Sequence, residues 1–169
     1  GEPNSISSEI IFKSWINKKK YTHKPFFIIG SFALLKLQMK KLNYKIKIKK
    51  ISNNFNSDDL RNNTLPVYDV PYKQNKPFQK ISIKSNNYIL KCFEIALNLV
   101  KKRKIVGFVN CPVSKETLFK KNHQGITEFL SKKVKKSGDV SMLIYNKNLS
   151  VSPITTHIPL IKVSKSINK

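Results

Sequence analysis

The residues able to do chemistry are few in this sequence. It holds three histidines, His23, His123 and His157, and two cysteines, Cys92 and Cys111. His157 stands in TTHIPL (155–160), at the end of a segment that reads as a strand. A histidine at the mouth of a strand can be half of a chemical site. A lone histidine satisfied by backbone groups is the alternative. Thr127 in GITEFL (125–130) can offer its hydroxyl to a phosphate or carboxylate, whereas Ile126 beside it cannot hydrogen-bond through its side chain. Lys115 in NCPVSKE (110–116) can assist with phosphate or can be a plain surface lysine. His123 reads as a solvated loop residue. The cysteines have neither disulfide nor metal-ligand spacing and lie in apolar surroundings, which reads as buried free thiols in a reducing cytoplasm. There is no G-x-G-x-x-G, no Walker lysine loop, no H-x-x-x-H and no supportable Ser-His-Asp spacing. A standard dinucleotide fingerprint is thereby excluded from this segment, and spacing alone gives no residue a catalytic role.

The elements that must position these residues follow from periodicity. SISSEIIFKSWI (5–16) predicts a helix that Ser7 or Ser8 caps, with Ile11 and Trp15 on one face. KPFFIIGS (24–31) predicts a buried strand and ALLKLQMKKL (33–42) a helix. YKIKIKKI (44–51) predicts a half-buried or edge strand whose lysines discourage edge pairing. Residues 52–87 read as loop with short strands at LPVYDV (65–70) and KISI (80–83). NNYILKCFEIALNLVKK (86–102) is the clearest amphipathic helix. IVGFVN (105–110) predicts a buried strand, KETLFKK (115–121) and ITEFLSKKV (126–134) helices. VSMLIYN (140–146) and LSVSPIT (149–155) predict a strand pair. Helices alternating with apolar strands imply an α/β domain with a mixed, mainly parallel sheet. We expect one α/β segment over 1–169, because no internal boundary separates two domains convincingly.

The formal net charge is +24, which ordinarily points to an anionic partner. Yet only Arg61 and Arg103 among the 33 basic residues are arginines, and base and phosphate recognition favours arginine. The lysines are also spread along the whole chain. Lys, Asn and Ile make up about two fifths of the residues, a bias that an AT-rich genome would produce. Nucleic acid is therefore not the expected physiological partner. No apolar run reaches the roughly 18 to 20 residues of a membrane span. The start, Gly-Glu-Pro, shows no signal-peptide pattern and hints at trimming.

Four segments, in this order and at about these intervals, carry a resemblance. GEPNSISSE (1–9), NCPVSKE (110–116), GITEF (125–129) and TTHIPL (155–160) resemble the 4-hydroxythreonine-4-phosphate dehydrogenase family. Its members typically read G-D/E-P-A-G-I-G-P-E, T-A-P-I/V-N-K-E, G-H-T-E-F and T-T-H-I/L-P-L there. FIIGSFALL (27–35) is similar to the family's V-x-G-D/S-x-x-L-L junction. The resemblance implies a three-layer α/β/α fold like that of isocitrate and isopropylmalate dehydrogenases, working as a homodimer. It also implies that this chain corresponds to the N-terminal half, without the leading strand, and that a C-terminal half is missing.

The implied reaction is NAD- or NADP-dependent oxidation of 4-phosphooxy-L-threonine to 3-amino-2-oxopropyl phosphate plus CO2, in pyridoxal-phosphate biosynthesis. A divalent metal (zinc, magnesium or cobalt) held by three histidines assists. By resemblance His157 is the first of those ligands, and the other two are expected beyond Lys169. Thr127 is retained at a substrate-binding position where the preceding family histidine has become Ile126. The A-G-I-G-P stretch has become Asn4-Ser5-Ile6-Ser7-Ser8, and Ser114 replaces an asparagine beside Lys115 and Glu116. These losses lead us to expect weak or no activity from this chain alone. Two rivals remain: a basic nucleic-acid-binding α/β module, and a non-catalytic remnant with a folding or dimerisation role.

Overall fold

Apolar runs separated by helices have one economical solution, a parallel sheet with helices packed on it. The computed structural model describes residues 1–21, 24–61, 63–119, 125–134, 141–155 and 158–167. Residues 1–122 form one unit and 123–169 a second.

In the first unit, α1 (Ser7–Ile16) and α2 (Lys18–Tyr21) precede β1 (Ile28–Gly30) and α3 (Phe32–Lys41). Then come β2 (Ile48–Ile51), α4 (Ser57–Arg61) and β3 (Leu65–Asp69). A 3-10 turn, Ile83–Ser85, leads into α5 (Asn86–Lys101), and α6 spans Lys115–Phe119. The sheet is parallel in the order β1-β3-β2. Alternation along β3 turns Leu65 and Val67 to one face, where they meet Phe12, Trp15, Leu35 and Ile46 in a buried core. The stripe expected on α5 is real: Ile89, Phe93, Ala96 and Leu99 are buried, and the helix packs against β1.

Pro66 explains why β1 is short. The Leu65 N–H donates to the Lys47 carbonyl at 2.8 Å and the Val70 N–H to the Gly30 carbonyl at 3.0 Å. Odd residues of β3 therefore bond toward β2 and even ones toward β1. Position 66 should donate toward β1, but proline has no N–H. The ladder accordingly begins at Ile28, opposite Val67.

The second unit holds α7 (Ile126–Lys133) and a hairpin of β4 (Ile144–Tyr145) with β5 (Ser150–Val151). A 3-10 turn at Leu160–Lys162 runs into α8 (Val163–Ser166). No helix among the described residues is long and apolar enough to cross a membrane.

Three expectations need correction. IVGFVN (105–110) is not a strand: it is irregular, and Val106 and Val109 are fully exposed. Among the described residues no other strand pairs with it, and an unpaired segment cannot keep strand geometry. KISI contains no strand; Ile83 instead opens the 3-10 turn. Neither Ser7 nor Ser8 caps α1, because Ile6 occupies the cap position and makes no side-chain cap bond. Ser5 does the capping work from outside: its hydroxyl accepts the Ser7 N–H at 3.3 Å and donates to the Glu2 carbonyl at 2.9 Å.

Ser8 is buried inside the first turn of α1, and its hydroxyl has no hydrogen-bond partner among the described residues. A buried hydroxyl left unpaired costs about 1–3 kcal/mol. Ser8→Ala should therefore raise the free energy of urea unfolding by about 1 kcal/mol. A destabilised Ser8→Ala would mean that the hydroxyl has a partner in solution.

Candidate functional site

Open parallel sheets bind ligands outside the carboxyl ends of their strands. In the first unit that edge gathers residues 1–6, the β1–α3 junction, the end of β3, the loop 71–79, the start of α5 and residues 110–114. Glu2 is fully buried. Its carboxylate accepts the Asn4 N–H at 3.1 Å on Oε1 and the Ser85 hydroxyl at 2.9 Å on Oε2. Its own N–H donates to the Pro112 carbonyl at 2.8 Å. Asn4 Oδ1 accepts the Gln74 side-chain amide at 2.8 Å and the Gln79 N–H at 2.9 Å. Gln38, buried on α3, donates to the Pro3 and Pro77 carbonyls at 2.7 and 2.9 Å. The opening residues thus tie α3, the loop 71–79, α5 and residue 112 into one edge.

At the β1–α3 junction Ser31 caps the helix, its hydroxyl accepting the Leu34 N–H at 3.3 Å. The Phe32 N–H donates to Asp69 Oδ1 at 2.9 Å, and Lys50 reaches Asp69 Oδ2 at 2.5 Å. Burial works against the charged carboxylate, but Lys50 and the Phe32 N–H outweigh it and hold Asp69 below the usual aspartate value. The Tyr88 hydroxyl accepts the Ser31 N–H at 2.9 Å. A Cβ on Gly30 would lie 3.1 Å from that oxygen, so glycine gives Tyr88 its close approach. Burial pushes the Tyr88 phenol far above its ordinary value. Burial, then the Glu2 carboxylate, raise Tyr72, whose ring packs on Tyr88 with centroids 4.8 Å apart.

Cys92 and Cys111 are free and partly buried. Burial pushes the Cys92 thiol up to about 11 and raises Cys111 as well, so neither is poised as a nucleophile.

The residues singled out from the sequence are placed as follows. Lys115 is the exposed first residue of α6, whose N-terminus Ser114 supports by accepting the Thr117 N–H at 3.3 Å. Ile126 and Thr127 open α7, with Thr127 exposed and Ile126 half-buried. The Glu128 carboxylate lies over Gly125, where a Cβ would come within 2.5 Å of it. That carboxylate already occupies the anion-favouring end of α7. His23, His123 and His157 lie outside the described residues. Among the described residues no three His, Cys, Asp or Glu side chains could together hold a metal ion.

Sequence reasoning missed Glu2, Gln38, Asp69 and Tyr88. The local signals were the Gly-Ser step after the apolar run of β1, a strand-to-helix cap, and the place of Glu2 in the GEPNSISSE segment.

Residues 22–169 match the family described as pyridoxal phosphate biosynthetic protein PdxA. The chain belongs to that family. A 4-hydroxythreonine-4-phosphate dehydrogenase of Zymomonas mobilis is 28% identical over 162 residues, 94% of this chain and 47% of the relative. An Oceanobacillus iheyensis protein named for D-threonate 4-phosphate dehydrogenase is 25% identical over 99% of this chain and 51% of its own length. A solved Salmonella typhimurium structure, assigned to 4-hydroxythreonine-4-phosphate dehydrogenase, superimposes with a TM-score of 0.80 at 25% identity. It covers 99% of this chain and 52% of that one. The chain thus spans about half the length of the curated relatives it matches, with the incomplete α/β fold expected from the PdxA resemblance.

The Asp69 pairing makes a pH prediction. A carboxylate depressed in the folded state contributes stability in full above its unfolded value, about 3.9, and loses it as pH falls through the folded value. Asp69→Asn should therefore lower the urea midpoint relative to the native chain at pH 6, with the gap narrowing below about pH 3. A gap independent of pH would show that Asp69 acts through its hydrogen bond and not its charge.

Proposed function

We propose that this chain forms the N-terminal half of an NAD- or NADP-dependent dehydrogenase acting on a small 4-phosphorylated hydroxy acid. The leading substrate is 4-phosphooxy-L-threonine, oxidised at its secondary alcohol and decarboxylated to 3-amino-2-oxopropyl phosphate. The observation that carries the reading is a family-like fold over essentially the whole chain, at a TM-score of 0.80. The two relatives' names share a 4-phosphate and differ at C2, amino in one and hydroxyl in the other. Loss of the histidine at position 126 bears on that choice, because a hydrogen-bonding group has become a methyl-bearing one.

In this reading Thr127 donates its hydroxyl to a phosphate or carboxylate oxygen of the substrate, and Lys115 is a separate candidate phosphate contact. The edge built on Glu2, Ser31 and Asp69 is a rigid frame for the cleft and touches no reacting atom. A divalent metal (zinc, magnesium or cobalt) would polarise the alcohol oxygen. Of this chain's residues only His157 is proposed as its ligand. The described side chains offer no metal group of their own, so no step is derived through the ion. Cofactor residues, two further histidines and a second copy of the assembly would complete a homodimeric enzyme in the cytoplasm. The chain alone, with Ile126 and a single ligand, is proposed to be inactive or weakly active.

Complementation tests this. The C-terminal half of the Zymomonas mobilis relative, produced separately, is mixed with this chain, zinc, NAD and 4-phosphooxy-L-threonine, and NADH is followed by absorbance. The reading predicts NADH only when both halves are present. It also predicts an increase of about tenfold or more for Ile126→His and a comparable loss for Thr127→Ala. Tight association of the halves with no NADH, even with Ile126→His, would favour a non-catalytic remnant.

A further inference from the structure

β2 stands at one end of the first unit's sheet: it pairs with β3, and no other strand among the described residues pairs with it. The register shows which of its backbone groups are used. Leu65 lies opposite Ile48, and the Leu65 N–H donates to the Lys47 carbonyl. In a parallel ladder, residues bonded to one neighbour alternate with residues that face away from it. Lys47, Lys49 and Ile51 therefore bond toward β3, while Ile48 and Lys50 turn their N–H and C=O groups outward. Such an edge is a template for one more strand.

The side chains determine which strand fits. Alternation puts Lys45, Lys47 and Lys49 on one face. Lys45 and Lys47 are exposed and make no ion pair among the described residues, whereas half-buried Lys49 reaches Asp59 at 3.5 Å. On the other face Ile46 is buried, and Ile48 packs against the core that holds Phe12, Leu65 and Val67. The edge thus offers cations on one face and apolar groups on the other. Side chains on neighbouring strands meet face by face, so acids belong beside the lysines and apolar residues beside the isoleucines. A second copy of β2 would set lysine against lysine, which is unfavourable. No two of the nine acidic residues lie two positions apart, so no segment of these 169 residues forms an acidic strand of this kind.

We propose that the outer edge of β2 docks an extended acidic segment of a partner protein by strand addition. The segment is about five to seven residues long and alternates Glu or Asp with Val or Ile. Its backbone pairs with Ile48 and Lys50, its carboxylates meet Lys45 and Lys47, and its apolar side chains extend the face of Ile46 and Ile48. The lysines then have two effects, repelling copies of this chain and selecting an acidic strand. Such docking is separate from dehydrogenase activity and is read without turnover.

The test adds to this chain an end-blocked peptide of about seven residues that alternates Glu and Val, and follows hydrogen exchange. The peptide should slow exchange saturably at Ile48 and Lys50, by about tenfold or more. The Lys49 and Ile51 amides, already bonded to β3, should keep their rates. A peptide with Lys in place of Glu should give no protection, nor should one of the same composition with its glutamates gathered at one end. Lys45→Glu combined with Lys47→Glu should weaken the Glu-Val peptide on the order of tenfold. The same variant should accept the Lys-Val peptide, which also shows that it is folded. No protection at millimolar peptide overturns the proposal. So does equal protection by the gathered peptide, which would mean charge attraction without strand pairing. Concentration-dependent protection without peptide would make a second copy the occupant and likewise overturns it. An oligothymidine that protects these amides more tightly than the peptide at physiological salt would make nucleic acid the partner instead.

Discussion

A carboxylate with no exposed surface holds together the edge of the first unit at the carboxyl ends of β1 and β3. Burying a charge is expensive unless hydrogen bonds replace its water. Glu2 meets that condition through the Ser85 hydroxyl and the Asn4 N–H. The geometry is demanding, because these partners come from the N-terminal turn and from the start of α5. The Glu2 N–H on Pro112 adds the loop before α6. Once these are fixed, Asn4 and Gln38 can tie in the loop 71–79. The carboxyl ends of β1 and β3 then face a defined set of neighbours.

The same stretch shows how a family motif can lose its glycines and keep its shape. Asn4, Ser5, Ser7 and Ser8 stand where the resemblance implies Ala, Gly, Gly and Pro. Among the described residues, the positive-φ residues other than glycine are Asn43 and Arg103, neither of which lies in that turn. The serines therefore pay no backbone penalty for the exchange. Ser5 and Asn4 supply new hydrogen bonds, while Ser8 leaves a buried hydroxyl unpaired. Scaffold and contacts differ in kind: the frame is held by new hydrogen bonds, whereas at position 126 the resemblance implies a histidine where this chain has Ile126.

Much of the frame was legible because local pattern and tertiary role agreed. The α5 stripe, the lysine-guarded β2 edge and the LPVYDV strand each follow from periodicity that the sheet then uses. IVGFVN misled for a physical reason: strand composition states what a segment prefers when paired, and here its partner is lacking. Pro66 could not be interpreted before the register was known, since its missing N–H matters only on the side facing β1. Of the site, the motif order identified the family, but the bonds that join its elements, Gln38 to Pro3, Ser85 to Glu2 and Ser31 to Tyr88, span 35 or more residues. Such bonds leave no local trace. The clearest sequence signal, His157, lies outside the described residues, as do its two fellow histidines.

The central claim is that Glu2 and Ser85 act as one unit in building this edge. A double-mutant cycle reads it directly: urea unfolding of the native chain, Glu2→Ala, Ser85→Ala and the double variant. Coupling through a buried, charge-assisted hydrogen bond predicts an interaction energy of about 1–3 kcal/mol. Effects that add to within about 0.5 kcal/mol would contradict it and leave the buried carboxylate without its structural role.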